Sequence, residues 1–167
     1  MNSHQTTNPS NLTQDNIADV NNVPEALEQY PIIYHQSIHW GEMDAFSHLN
    51  NVVYYRYAES ARIAYLQALG MFDGDMVTVL AASSCQYLRP VTYPDTLLLG
   101  VRCQRLGKTS IVIEYSYFSC AQQTIVATAD AVVVRLDSEG KNKVPWTGDE
   151  RVRLQALEST VGRKPDM

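Results

Sequence analysis

The stretch WGEMDAFSHLNNVVYYRYAESARIAY, residues 40–65, decides the fold of this chain and holds its most varied chemistry. A short polar loop brings Asp44 and His48 directly before the start of a long helix, where Asn50 and Asn51 stand. The first N–H groups of a helix have no acceptor within the helix, and this end attracts negative charge. A carboxylate, an imidazole and two amides therefore meet at an anion-binding helix end, and we place the candidate site here.

The helix is predicted to begin near Asn50 and to end before Gly70, because glycine is favoured just past a helix C-terminus. At about 100° per residue, small and aromatic side chains share one face: Tyr54, Tyr57, Ala58, Ala61, Ala64, Tyr65 and Ala68. Such a face lets the helix lie close against a sheet. The opposite face is mixed and contains Arg56, Glu59, Ile63 and Leu66.

Apolar residues in strand-like runs surround the helix in sequence. They predict strands at residues 32–40, 76–88, 96–105, 110–118 and 124–136, and a short helix at 149–157. The short links between the last four strands favour antiparallel hairpins. One strand, one long helix and four further strands define an α+β fold. A single curved sheet around one helix leaves an edge that a dimer would cover.

Composition and charge narrow the function classes. The chain has 167 residues, with 45% hydrophobic and 19% charged residues, as in an ordinary soluble domain. Its net charge is −5 and it has no basic stripe, so nucleic acid is not an expected partner. Residues 1–24 are predicted to be a disordered polar tail and residues 25–160 a single domain, with the packed chain starting near Pro31 and the tail before it playing no part.

The sequence also predicts the compartment and the absence of a metal site. The chain starts without a secretory signal and contains no run long enough for a membrane span. Three widely spaced cysteines, an odd number, are predicted to be reduced core residues in a cytoplasmic protein. His35 and His39 lie four residues apart on a predicted strand and share no helix face, so we expect solvated histidines and no metal site.

Several motifs together resemble one enzyme family. The run GEMDAFSHLNN at 41–51, followed by Tyr54, resembles the motif of hotdog-fold acyl-CoA thioesterases of the 4-hydroxybenzoyl-CoA thioesterase type. The resemblance extends to ESAR at 59–62, YLRP at 87–90 and YPD at 93–95, and covers about residues 31–150. It implies a long central helix wrapped by a curved antiparallel sheet of about five strands. It also implies a CoA thioester as substrate, no cofactor, and homodimers or homotetramers with the ligand between subunits.

The resemblance assigns catalytic roles that agree with the chemistry. Thioester hydrolysis needs a nucleophile or base at the carbonyl carbon and a donor for the developing oxyanion. By resemblance, Asp44 attacks the thioester or activates water, and the backbone amide of Asn51 holds the oxyanion. His48 matches the motif histidine, which orients the thioester or shapes the loop.

Glu59 is a second candidate for the catalytic carboxylate, because a related hotdog class carries its catalytic glutamate on the helix. Here Arg56 and Arg62 each lie three residues away, within ion-pair reach on a helix. We therefore favour an ordinary surface ion pair for Glu59.

Substrate binding is assigned to five further residues. Asn50 and Tyr54 belong to the same motif as Asp44. Arg89, Arg105 and Lys108 stand at predicted strand ends, where cations can meet the phosphates of coenzyme A. Lys108 matches the basic residue that the family has in this turn.

Other functions stay open at this level. A hotdog dehydratase or hydratase uses an Asp and a His in a D-x-N-P-x-H setting, whereas Asp44 and His48 are four apart without the Asn-Pro. Acyl-carrier-protein thioesterases have a similar Asp and His-x-Asn-Asn stretch. A non-catalytic acyl-thioester-binding module would need a further domain, and the tail is too short and too acidic for one. The acyl group is not defined by the sequence.

Overall fold

The computed structural model describes residues 23–72 and 76–167. In chain order it has a 3-10 turn (Glu25–Leu27), β1 (Ile32–Ser37), a second 3-10 turn (Trp40–Glu42), α1 (Asn51–Ala68), β2 (Val77–Tyr87), β3 (Thr96–Leu106), β4 (Ser110–Ser119), β5 (Thr124–Leu136) and α2 (Gly148–Ser159). The strands form one antiparallel sheet in the order β1-β3-β4-β5-β2. This confirms the predicted α+β hotdog architecture. Most of the predicted tail, residues 1–22, lies outside the described residues.

The long helix begins and ends where the sequence predicts. Asn50 caps it, since its side-chain oxygen accepts the N–H of Val52 at 3.1 Å. At the other end, Gly70 has φ +62°, and the N–H of Met71 donates to the carbonyl of Leu66 at 3.1 Å. Glycine adopts this left-handed conformation without steric cost, which explains why the helix stops there.

The core lies between α1 and the inner face of the sheet. The alternate residues of β4 that share one face are all buried there: Ile111, Ile113, Tyr115 and Tyr117. On α1 the prediction is wrong at Ala68, which is exposed, and Leu66 of the mixed face is buried. The buried side of the helix turns towards Leu66 and Leu69 near its C-terminus, as expected for a straight helix that crosses a twisted sheet.

The connection from β2 to β3 is not a hairpin, in contrast to the prediction. β2 pairs with β5 at the far edge of the sheet, so that β5 and β4 separate it from β3. Three strand spacings of about 4.8 Å are within reach of the eight residues 88–95. The link passes the start of α1, where Leu49 N–H donates to Val91 O at 2.8 Å. The other two links, β3–β4 and β4–β5, are hairpins as predicted.

The chain packs earlier than the predicted start near Pro31. Leu27 and Tyr30 are buried in a second apolar cluster with residues of β1, β3 and β4, Ile33, Leu98 and Phe118. The Tyr30 hydroxyl lies 2.8 Å from the Glu114 carboxylate, and its ring lies 4.5 Å from the Arg102 guanidinium carbon. A Cβ at Gly100 would lie 2.6 Å from this ring. Two apolar side chains therefore anchor residues 24–30, although their neighbours in sequence are polar.

Element ends differ from the prediction in two further places. β1 stops at Ser37 and not at Trp40, because residues 40–42 form the 3-10 turn. The packed chain continues beyond residue 160, since Asp166 N–H donates to Gln104 O at 3.0 Å and Leu106 N–H donates to Asp166 O at 2.7 Å. The predicted terminal helix is present as α2, which a capping box between Thr147 and Glu150 starts.

The three cysteines are unpaired, as predicted. Cys103 is buried, whereas Cys85 and Cys120 are half-buried at the edges of the two apolar clusters. Burial is the main reason that the pKa of the Cys103 thiol is raised to about 12, so it is un-ionised at neutral pH. Among the described residues, no helix combines the length and hydropathy needed to cross a membrane.

Candidate active site

The loop before α1 is organised by the carboxylate of Asp44. Its Oδ1 accepts the N–H groups of Phe46 at 2.8 Å and His48 at 3.1 Å. The backbone N–H of Asp44 donates to the carbonyl of His48 at 2.7 Å. Ser47 completes the turn with φ +61°. No described residue donates a hydrogen bond to Asp44 Oδ2. One carboxylate oxygen thus shapes the loop while the other stays available at its half-exposed surface.

The first turn of α1 offers one unused donor. Val52 N–H donates to the Asn50 side chain at 3.1 Å, and Val53 N–H donates to the Asn50 carbonyl at 2.9 Å. The Asn51 N–H has no acceptor within the part of the chain that the structure describes. Asn50 is therefore the cap of the helix, and Asn51 supplies the free amide at the end that favours anions.

Five of the nine predicted site residues line two adjoining clefts. The first has a volume of about 310 Å³ and is lined by His48, Leu49, Asn51, Tyr54, Tyr87, Leu88, Arg89, Pro90 and Val91. The second has a volume of about 340 Å³ and is lined by Trp40, Gly41, Met43, Asp44, Ser47 and Tyr93. They meet at the consecutive residues Ser47 and His48. Asp44 thus lies on one side of the loop, and His48 and Asn51 on the other.

Tyr54 forms part of an aromatic wall. Its ring meets those of Tyr87 and Tyr117 edge to face, with centroids 5.0 Å and 5.5 Å away. The Tyr87 hydroxyl also donates to the Asn51 carbonyl at 3.3 Å, which ties β2 to the first turn of the helix. Burial raises the pKa of Tyr54 to about 12, so this phenol is neutral at physiological pH and suited to contacts with apolar groups.

Glu59 does not line either cleft. Its side chain is 66% exposed, and its carboxylate lies 4.0 Å from the guanidinium of Arg62, whose side chain is 11% exposed. The expected ion pair is therefore present with Arg62, but it is long and solvated, and such pairs contribute little to stability.

The predicted cations are not brought together within one chain. Arg89 lines the first cleft. Arg105 and Lys108 are exposed at the far end of β3. Arg105 lies nine residues, or about 30 Å of strand, from Thr96, where β3 begins three residues after Tyr93 of the second cleft. Only Arg89 of these three meets the cleft that holds Asn51.

Sequence reasoning missed some residues of the site. Trp40 and Tyr93 line the second cleft, and Trp40 is 77% exposed. Glu42 fastens the loop to the helix, since its carboxylate accepts the hydroxyl of Tyr57 and its carbonyl accepts the N–H of Asn50. In the sequence, the available signal was a tryptophan two residues before Glu42 and four before Asp44. It carries little weight in a sequence because most tryptophans are core residues.

The two histidines before the site differ in environment. His39 is exposed, as expected, but His35 is half-buried and its Nε2 has no hydrogen-bond partner in the described part of the chain. Burial lowers the pKa of His35. The prediction of a solvated side chain is wrong here because His35 pairs with Leu98 on the face that residues 24–30 cover. Within residues 23–72 and 76–167, no three His, Cys, Asp or Glu side chains are grouped to hold a metal ion.

Several known proteins are similar to this chain in sequence or in fold. Residues 38–155 match the model of the Thioesterase-like superfamily. The Bacillus subtilis (strain 168) protein YsmA is 31% identical over 120 residues, which cover 71% of this chain and 81% of that protein. A Thermus thermophilus thioesterase, solved with coenzyme A and Zn, has a TM-score of 0.71 and 30% identity, covering 82% of this chain and 99% of that one.

A second solved structure, the PA5185 protein from Pseudomonas aeruginosa, has a TM-score of 0.69 and 30% identity, covering 78% of this chain and 94% of that one. The family match spans the loop that carries Asp44, the helix α1 and the strands β2 to β5. The chain belongs to the Thioesterase-like superfamily.

Proposed function

We propose that this protein is an acyl-CoA thioesterase of the 4-hydroxybenzoyl-CoA thioesterase type, which hydrolyses a thioester to a carboxylic acid and CoA. The observation that carries the proposal is that Asp44 has a carboxylate oxygen and Asn51 an N–H without partners among the described residues. The two residues stand on either side of one short loop. Asp44 acts as nucleophile or general base, and the Asn51 amide stabilises the oxyanion. The related Thermus thermophilus thioesterase was solved with coenzyme A, which supports this substrate class.

The two clefts divide the substrate between them. In the proposed binding mode, the first cleft receives the CoA part of the substrate, because its Arg89 can meet a phosphate and its His48 offers a polar side chain. The second cleft receives the acyl group, because Trp40, Met43 and Tyr93 offer apolar walls and no cation lines it. The thioester carbon then lies over the loop where the clefts meet, between Asp44 and Asn51. No resident cofactor is required in this scheme, since the chain supplies both attack and oxyanion stabilisation.

A second copy of the chain completes the site in this proposal. α1 packs mainly on β1 and β3, and β2 stays exposed on both faces at the edge of the sheet. Its exposed apolar side chains include Val79, Leu80 and Tyr87. An open apolar edge strand is a ready surface for pairing with another chain.

A two-fold pairing of β2 edges would also explain the distant cations. In an antiparallel pair, the Val77 end of one β2 lies beside the Tyr87 end of the other. The partner's sheet end, which carries Arg105 and Lys108, would then face the first cleft and the phosphates of CoA. We therefore propose a homodimer as the smallest active unit, with homotetramers formed by pairing two such dimers.

The test is a panel of acyl-CoA thioesters of graded chain length and of aromatic type, assayed by release of the CoA thiol. The same acyl groups on acyl-carrier protein form the second arm of the panel. We expect CoA thioesters to be hydrolysed and at least one to reach a kcat/KM of about 10⁴ M⁻¹s⁻¹ or more. Absence of turnover with every CoA thioester would refute the proposal, and turnover of carrier-protein thioesters alone would replace the substrate class.

A further inference from the structure

Glu42 lies directly before the loop that carries Asp44, and it accepts three hydrogen bonds there. Its backbone carbonyl accepts the N–H of Asn50, the helix cap, at 3.0 Å. Its side-chain Oε2 accepts the N–H of His39 at 2.8 Å and the hydroxyl of Tyr57. One residue therefore joins the turn before the loop, the cap after it and the body of the helix.

Tyr57 makes this connection rigid. It lies on α1, six residues after Asn51, and its side chain is buried between the helix and the sheet. Burial, and then the Glu42 carboxylate, raise the pKa of Tyr57, so the phenol keeps its proton and donates a hydrogen bond to Glu42. A hydrogen bond to a carboxylate is stronger than one between neutral groups.

We propose that Glu42 is a positioning residue, which holds the Asp44 loop at a fixed distance from the Asn51 amide through its hydrogen bond to Tyr57. Glu42 lines neither cleft, so its effect on the reaction passes through the loop. This bond joins the segment before the loop to the body of the helix, two turns beyond the cap at Asn50. The inference rests on the proposed thioesterase function, because it concerns the geometry between the attacking group and the oxyanion donor. A misplacement of about 1 Å in such a geometry can cost about 100-fold in rate.

Three variants test the connection: Glu42→Ala, Glu42→Gln and Tyr57→Phe. We expect Glu42→Ala to lower kcat by about 100-fold and Tyr57→Phe by about 10-fold, with KM changed less than about twofold. Glu42→Gln keeps an oxygen acceptor, and it should recover kcat to within about fivefold of the wild type. The double variant Glu42→Ala/Tyr57→Phe should be no slower than Glu42→Ala, because both changes break the same bond.

The chain offers a matched control on the same helix. Tyr65 also donates to a glutamate, Glu158, at 2.6 Å, but this pair lies at the α2 end of the domain, away from the loop. Tyr65→Phe removes a tyrosine–glutamate bond of the same kind and should lower the unfolding midpoint while leaving kcat within about twofold of the wild type. Equal losses of kcat in Tyr65→Phe and Tyr57→Phe would overturn the proposal, as would failure of Glu42→Gln to recover activity.

A second measurement is independent of turnover. Hydrogen–deuterium exchange of backbone amides in residues 44–53 should accelerate about 10-fold in Glu42→Ala and Tyr57→Phe, and should stay unchanged in Tyr65→Phe. If the wild type hydrolyses no thioester, the proposed function fails and this exchange pattern still decides the role of Glu42. Unchanged exchange in both site variants would overturn the positioning role even in an active enzyme.

Discussion

Replacing Asp44 by asparagine removes a charge and a base while preserving the shape of the loop. Asp44 Oδ1 accepts two backbone N–H groups, and the side-chain oxygen of asparagine can accept both. Charge-assisted hydrogen bonds are about twice as strong as neutral ones, so the change should cost about 1 kcal/mol of folding stability. The loss in catalysis should be much larger, because an amide is neither nucleophilic nor basic. General-base catalysis alone contributes about 10²–10⁴-fold, so kcat should fall by about 10³-fold, or about 4 kcal/mol of barrier.

The assay follows thiol release from the best acyl-CoA of the panel, with urea unfolding measured on the same samples. Asp137→Asn is the matched control, since the Asp137 carboxylate also shapes a turn by accepting the N–H of Lys141, at 2.8 Å, far from the clefts. It should lower stability only slightly and leave kcat unchanged. Asp44→Ala should lose the turn bonds as well and be the least stable of the three. An Asp44→Asn enzyme that keeps more than a tenth of wild-type kcat would refute the assignment.

Three further predictions concern other parts of the molecule. Glu59→Gln should keep most of the activity, because Glu59 is solvated and lines neither cleft. If this variant folds normally and is as inactive as Asp44→Asn, the roles of the two carboxylates must be exchanged. Light scattering should give at least a dimer for the wild type and for a chain lacking residues 1–22, and Leu80→Glu should reduce both the mass and the activity. Val152→Glu, which also charges an exposed apolar residue but lies on α2, should change neither, and a monomeric wild type would disprove the dimer. Glu158→Gln should remove a pH dependence of the free energy of unfolding. Burial raises the pKa of Glu158 above its ordinary value of 4.5. The stability that the protonated carboxyl contributes is therefore fully present below pH 4.5 and is lost as the pH rises through the folded-state pKa. Urea unfolding of wild type and variant at pH 4.5 and pH 8 measures this, and an equal difference in free energy of unfolding at both pH values would contradict it.

The pH effect at Glu158 follows from its surroundings. Its Oε1 accepts the hydroxyl of Tyr65 and the N–H of Cys103, at 2.6 Å and 2.7 Å, whereas Oε2 has no hydrogen-bond partner among the described residues. The bonds and the charges of Arg163 and Arg102 lower its pKa, but burial outweighs them. Glutamine retains an oxygen for both donors and carries no charge, so the variant isolates the cost of ionisation.

The sequence determined the elements because each was encoded by local chemistry. The start of α1 follows from a cap at Asn50, its end from Gly70, and the inner face of β4 from strict alternation between Ile111 and Tyr117. These signals act within a few residues, and hydrophobic periodicity reports them directly. The crowding of Asp44, His48 and Asn51 was readable for the same reason, since one loop and the first residue of the helix after it hold all three.

Only the tertiary structure decided which distant segments meet. Link length did not reveal that β2 pairs with β5, because eight residues can span either a hairpin or three strand spacings. The sequence also did not show that the site divides into two clefts, one lined by Tyr93 and Asp44 and the other by Arg89 and Asn51. The bond from Tyr57 to Glu42 and the burial of Leu27 and Tyr30 likewise depend on packing between segments that are not adjacent in sequence. Contacts of this kind depend on how the sheet curves around the helix, and no local pattern of residue types records that curvature.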